Sequence, residues 1–260
     1  MDKKLERMTR KWWVILIIIL VFFLPAYSQV PVNGPNSMDL VFAVLSGALI
    51  NKLTLLNPLF KIAPLLIIAG LFIGGNRFRR AFNIYATLAY FLYALLQNAA
   101  ITEQYGIVIL TGNLIGIFLV GLTWLREVLL EQNDFSVSSL SLSRWWVMPL
   151  AFFAFWMPLN YETLRPDFNL LNIITNDAGL AFCMMTPVYL SVLILFYPQV
   201  NPVTLRVTAL EGSVIGFFNL VAVILDLSSN WWLGVNHLPL MVISLYALIL
   251  SLRIPRSDAQ

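Results

Sequence analysis

What most limits the folds open to this chain is the recurrence of apolar runs from one end to the other. They fall at 12–23, 40–50, 64–74, 82–99, 107–125, 145–159, 178–197, 208–227 and 233–252, with few charges inside them. Apolar residues make up 60% of the chain and charged ones 11%, where a soluble domain carries about 25% charged residues. A hydrocarbon core of about 30 Å takes about 20 helical residues per crossing, and backbone polar groups within it must pair inside the segment. The chain therefore has room for roughly seven to nine crossings and no soluble domain. The expected fold is all-α, a polytopic transmembrane helical bundle forming a single integral membrane domain over residues 1–260.

Basic residues orient the expected bundle. The net charge of +3 sits in short runs beside apolar segments, which is a topogenic pattern and not a nucleic-acid surface. Residues 1–11 hold Lys3, Lys4, Arg7, Arg10 and Lys11, followed by an apolar run and the small residues Ala26 and Ser28. That layout suits an anchor helix or a cleaved signal peptide over 1–28. Residues 38–75 read as one net crossing with a re-entrant or interfacial half broken near Asn57-Pro58, since two crossings would place Arg77, Arg79 and Arg80 outside. The outcome is about eight crossings, or seven after cleavage, with both termini cytoplasmic. Thirteen of the 16 lysines and arginines then lie inside, leaving Lys52, Lys61 and Arg165 elsewhere. The compact design points to a prokaryotic cytoplasmic membrane.

Chemistry concentrates in the hairpin 204–253, expected as two helices joined by a Trp-rich turn at 228–232. On its first helix Glu211, Asn219 and Asp226 share a face, with Asn219 about 80° and Asp226 about 60° round from Glu211 at 100° per residue. An ionisable group in mid-membrane costs about 2.5–3.5 kcal/mol and so faces protein or water. These residues and His237 form the candidate binding or proton path, with Asp226 and His237 beside an outward-facing polar pocket. A single cysteine, Cys183, excludes an internal disulfide and a cysteine cluster, and no metal ligand set or cofactor motif is present. The expected partner is the lipid bilayer, with protein partners if the chain is one subunit of a larger complex. The leading expectation is a small transporter or permease, or such a membrane subunit.

Cys183, Asn219 and His237 also follow one another on successive helices, and this order resembles the exosortases and archaeosortases over about the last 80 residues. The resemblance implies a membrane-embedded cysteine transpeptidase with Cys183 and His237 in catalysis. Two positions depart from that family's pattern. Cys183 is followed by Met184-Met185-Thr186, and Ala222 stands where the family's arginine would be.

Overall fold

The structure, a computed structural model, describes residues 3–31, 37–160, 163–225 and 227–253. Basic α1 (Lys3–Thr9) leads into α2 (Trp12–Val21), whose ten residues are all apolar. After β1 (Tyr27–Ser28) and α3 (Ser37–Gly47) the chain leaves helical geometry at Ala48 (φ −53°, ψ 138°). A 3-10 stretch, Leu49–Leu56, runs on into α4 (Asn57–Gly74). Pro58 does not break this helix, because it sits in the first turn, where its missing N–H has no helical partner to lose. The break lies at Ala48 instead, whose backbone pairs with Ala100.

α5 (Arg79–Leu92) widens into a π turn at Tyr93–Gln97. Between α5 and the next helix stands a hairpin of β2 (Ala99–Thr102) and β3 (Gly106–Ile109), turned by Gly106 at φ 65°. β1 joins β3 to give the order β1-β3-β2, and α3 packs on this small sheet. α6 (Thr111–Leu130) starts later and runs further than the apolar run 107–125. α7 (Val147–Trp156), the two-stranded β4 (Leu159–Asn160) and β5 (Arg165–Pro166), and α8 (Asn172–Thr175) follow. A 3-10 turn, Asp177–Leu180, precedes α9 (Phe182–Phe196), and α10 (Pro202–Leu225) and α11 (Leu227–Leu252) close the bundle.

α9 is the axis of the bundle. Every residue of it except Cys183 is buried, as expected of a helix that is apolar all round. α7, α10 and α11 pack against it, and an aromatic column from α5 and α6 (Phe82, Tyr90 and Trp124) meets its Tyr189 at ring separations of 5.5–6.1 Å.

Among the described residues, four helical segments are long and apolar enough to cross a membrane: Leu49–Arg77, Thr111–Leu130, Pro202–Leu225 and Trp231–Leu252. A fifth would be the pair Asn172–Leu180 and Phe182–Phe196, which is bent by 96°. This is fewer clear spans than the eight expected from the apolar runs. α2 and α7 have ten residues each, about 15 Å of helix.

α7 can stop short because its terminal carbonyls are capped by other elements. Met157 takes a left-handed conformation (φ 49°), and Lys61 Nζ donates to the Phe155 carbonyl. Asn176 Nδ2 donates to the carbonyls of Trp156 (2.8 Å) and Met157 (3.1 Å), and Trp232 Nε1 to that of Pro158 (2.6 Å). Away from water, such pairing is what allows a helix to end. It also explains the Trp-rich stretch 228–232. Rather than a turn it is the start of α11, and Trp232 points into the bundle to cap α7.

Candidate functional site

The first half of α10, Val203 through Gly216, is buried on every side. On it, Asn201 (just before the helix), Thr204, Thr208 and Glu211 recur at offsets of three or four residues and so form one stripe. Each faces α6 or the loop that follows it. Asn201 Nδ2 donates to Glu127 Oε2 (2.8 Å), and Thr204 Oγ1 donates to the Thr123 carbonyl (3.4 Å). Trp124 Nε1 donates to Thr208 Oγ1 (3.1 Å). At the top of the stripe the Glu211 carboxyl rests on Gly116, where a side chain would collide with it: a Cβ there would stand 2.8 Å from Glu211 Cδ.

Glu211 is 1% exposed, and among the described residues its Oε1 has no hydrogen-bond partner. It lies about 13 Å along α10 from Pro202, at 1.5 Å per residue, in a helix of 24 residues. Tyr90 of α5 is within electrostatic reach of it, and the Tyr90 hydroxyl donates to Thr186 Oγ1 of α9 (3.3 Å). A buried carboxyl with an unpaired oxygen can take up and release a proton. Among the described residues no group of three or more His, Cys, Asp or Glu is placed to hold a metal ion.

The lower end of the stripe is a polar knot. Glu127 is fully buried and accepts from the Asn133 backbone N–H and from Asn201. Asn133 Oδ1 accepts from the Asn201 N–H (2.7 Å), and its Nδ2 donates to Asn83 Oδ1 (3.3 Å). Nearby, Asp134 accepts from Ser136 and from Asn76, which holds its carboxyl below the usual carboxylate range. Arg79 pairs with Glu131, and Arg206, also buried, donates to Thr9 Oγ1 (2.6 Å) and to the Ser251 carbonyl (2.6 Å). The ends of α4, α6, α9 and α11 and the starts of α5 and α10 meet here, among most of the basic residues.

The other residues marked in sequence sit higher. Asn219 Nδ2 donates to Cys183 Sγ (3.2 Å). His237 Nδ1 donates to the Leu233 carbonyl one turn back in α11 (2.8 Å). In the α10–α11 hairpin Gly234 stands against Val223 and Gly216 against Met241, so His237 is level with Asn219 and Leu220. Glu211 and Asn219 thus occupy different surroundings, one against α6 and the other against α9. Asp226, and with it the expected Asp226–His237 pair, lies outside the described residues. Glu127 of α6, and beside Glu211 on α10 Asn201, Thr204 and Thr208, belong to the site without being among the residues marked in sequence. The available signal was their spacing, which runs in phase with Glu211. No protein family, curated protein or solved structure matches the chain.

Proposed function

We propose that the chain is a small carrier of the cytoplasmic membrane, with eight crossings and both termini inside, in which Glu211 is the mid-membrane group that binds and releases a coupling proton. The observation that carries this is the Glu211 carboxyl itself: fully enclosed, with one oxygen unpaired among the described residues, halfway along a membrane-length helix. Holding such a group costs about 2.5–3.5 kcal/mol, a cost that a purely structural helix contact could avoid with an apolar residue. The orientation is supported by the gathering of Arg79, Arg144 and Arg206 with α1 at one end of the bundle, in keeping with the positive-inside rule. The short α2 and α7, together with α5 and the π turn that extends it, complete the eight passes.

The test is proton entry into proteoliposomes holding an internal pH dye, driven by a potassium diffusion potential. Wild type acidifies faster than empty liposomes, Glu211→Asp keeps part of that rate, and Glu211→Gln falls to the empty-liposome rate. A Glu211→Gln variant that matches wild type would overturn the carrier reading and favour a passive membrane subunit.

One contact favours a second reading, a membrane-embedded cysteine transpeptidase: the Asn219 amide on Cys183 Sγ, with His237 at the same depth. Cys183 is the single thiol, so labelling of intact cells with a membrane-impermeant maleimide reads it directly. Rapid labelling with a midpoint below the free-thiol value of about 8.5 would support the enzyme. Labelling only after denaturation would reject it.

A further inference from the structure

We infer that the stripe Asn201–Thr204–Thr208, with Glu127 at its foot, is the inner half of a proton path that loads Glu211 from the basic end of the bundle. The inference rests on the carrier reading of Glu211 and adds a direction and a route to it. Its basis is geometric. Four buried polar side chains on one face of α10 rise from Asn201 to Glu211 over about 15 Å, each no more than 1% exposed. They face α6, whose own polar contributions follow in step: Glu127 at the foot, then Trp124 and the Thr123 carbonyl. Apart from Arg206, which is tied to Thr9 and Ser251, the rest of α10's buried half presents apolar or small residues to its neighbours. A chance scatter of threonines would not track one stripe between two buried carboxyls.

The transfer balances without any redox partner. The Glu127 carboxyl releases its proton upward, and water and the hydroxyls of Thr204 and Thr208 each accept one proton while giving up their own. Glu211 takes the last, and Glu127 regains one from the inner aqueous phase. Trp124 donates its indole N–H to the Thr208 oxygen, which leaves the Thr208 hydroxyl proton free to pass on. Among the described residues the charged and titratable groups around the path are these: Tyr90 of α5 is in reach of Glu211, and Tyr189 of α9 packs on Tyr90 and Trp124. Glu127 of α6, Arg206 of α10 itself, and Glu6 and Arg10 of α1 lie toward the inner end, and Cys183 of α9 and His237 of α11 lie toward the other.

The test uses the full chain in membranes and a hydrophobic carbodiimide, which modifies protonated carboxyls inside a bilayer. Modification of Glu211 is followed by peptide mass after a pH step on one face only, in inverted vesicles for the inner face and in intact cells for the outer. The inference predicts that Glu211 follows the inner-face step. It also predicts that Thr208→Val and Thr204→Val, both close in shape to the original, slow that response by at least about tenfold, as does Glu127→Gln. Thermal unfolding of each variant confirms that it is folded. Should Glu211 follow the outer face, or should the folded threonine variants respond at the wild-type rate, the inner path is wrong while Glu211 remains a titrating group. No modification from either face at any pH would overturn both the path and the carrier reading.

Discussion

Gly116 gives the most direct access to the geometry around Glu211. In Gly116→Ala the new Cβ would stand 2.7 Å from Glu211 Oε2 and 2.8 Å from Cδ, well inside the ~3.5–4.0 Å at which carbon contacts are favourable. Overpacking of this kind costs about 1–3 kcal/mol, whereas replacing a helical glycine with alanine returns about 1 kcal/mol. The net expectation is a loss of up to about 2 kcal/mol in the wild-type background. With Glu211→Ala already in place the obstacle is gone, and Gly116→Ala should stabilise by up to about 1 kcal/mol. The coupling between the two sites is then about 1–3 kcal/mol, far above the ~0.5 kcal/mol scatter of independent sites. Four proteins unfolded by heat in the same detergent complete the cycle. Gly121→Ala is the control, because its Cβ meets the Phe91 ring at 2.8 Å and not Glu211. Its effect should be the same in both backgrounds. If Gly116→Ala is also additive with Glu211→Ala, the carboxyl does not rest on Gly116 and the site is built differently.

Other consequences follow from contacts away from Glu211. Arg206→Ala takes the donor from the Ser251 carbonyl and unties α1 from α10, while the Thr9 hydroxyl keeps its bond to the Glu6 carbonyl; it should cost about 1–3 kcal/mol and make the lysines and arginines of α1 open to trypsin. Trp232→Phe removes the indole N–H that caps Pro158 and trims the ring packed against Phe153 and Phe168, and should lower stability by at least about 1–3 kcal/mol, while Trp231→Phe, at an exposed position, stays within about 0.5 kcal/mol of wild type. The Asp134 carboxyl is held below its ordinary value by the Ser136 and Asn76 hydrogen bonds. Its contribution is therefore fully present above about pH 3.9, the unfolded value, and is lost as pH falls below that through the lowered folded value. Asp134→Asn should flatten the acid limb of the stability curve, measured by thermal unfolding from about pH 6 down to about pH 2.

The long apolar helices were legible because they rest on composition and run length, and α10 and α11 stand nearly where their apolar runs predict. The shorter elements were not. α7 looks like a crossing because residues 145–159 are apolar, but its end is set by Met157's left-handed turn and by caps from Lys61, Asn176 and Trp232, partners far apart in sequence. The hairpin at 99–109 hides inside apolar runs because its residues, Ala-Ala-Ile-Thr and Gly-Ile-Val-Ile, suit a helix or a strand equally well. At the site, Glu211 was visible as a lone acid in an apolar helix. Its setting was not, because glycine's role at 116 appears only once α6 lies against α10. Asn201, Thr204 and Thr208 were readable as a phase match to Glu211, but amides and hydroxyls stand out less in an apolar helix than acids do.

The central claim is that the Glu211 carboxyl exchanges protons while the protein is folded. Infrared difference spectroscopy of the protein in lipid, wild type against Glu211→Gln, isolates the bands of that one group. Stepping the bulk pH should move intensity between the protonated and ionised carboxyl bands, and transfer to heavy water should shift the protonated band within the time of mixing. A Glu211 band that ignores both changes until the protein unfolds would mean a sealed structural carboxyl and would contradict the account.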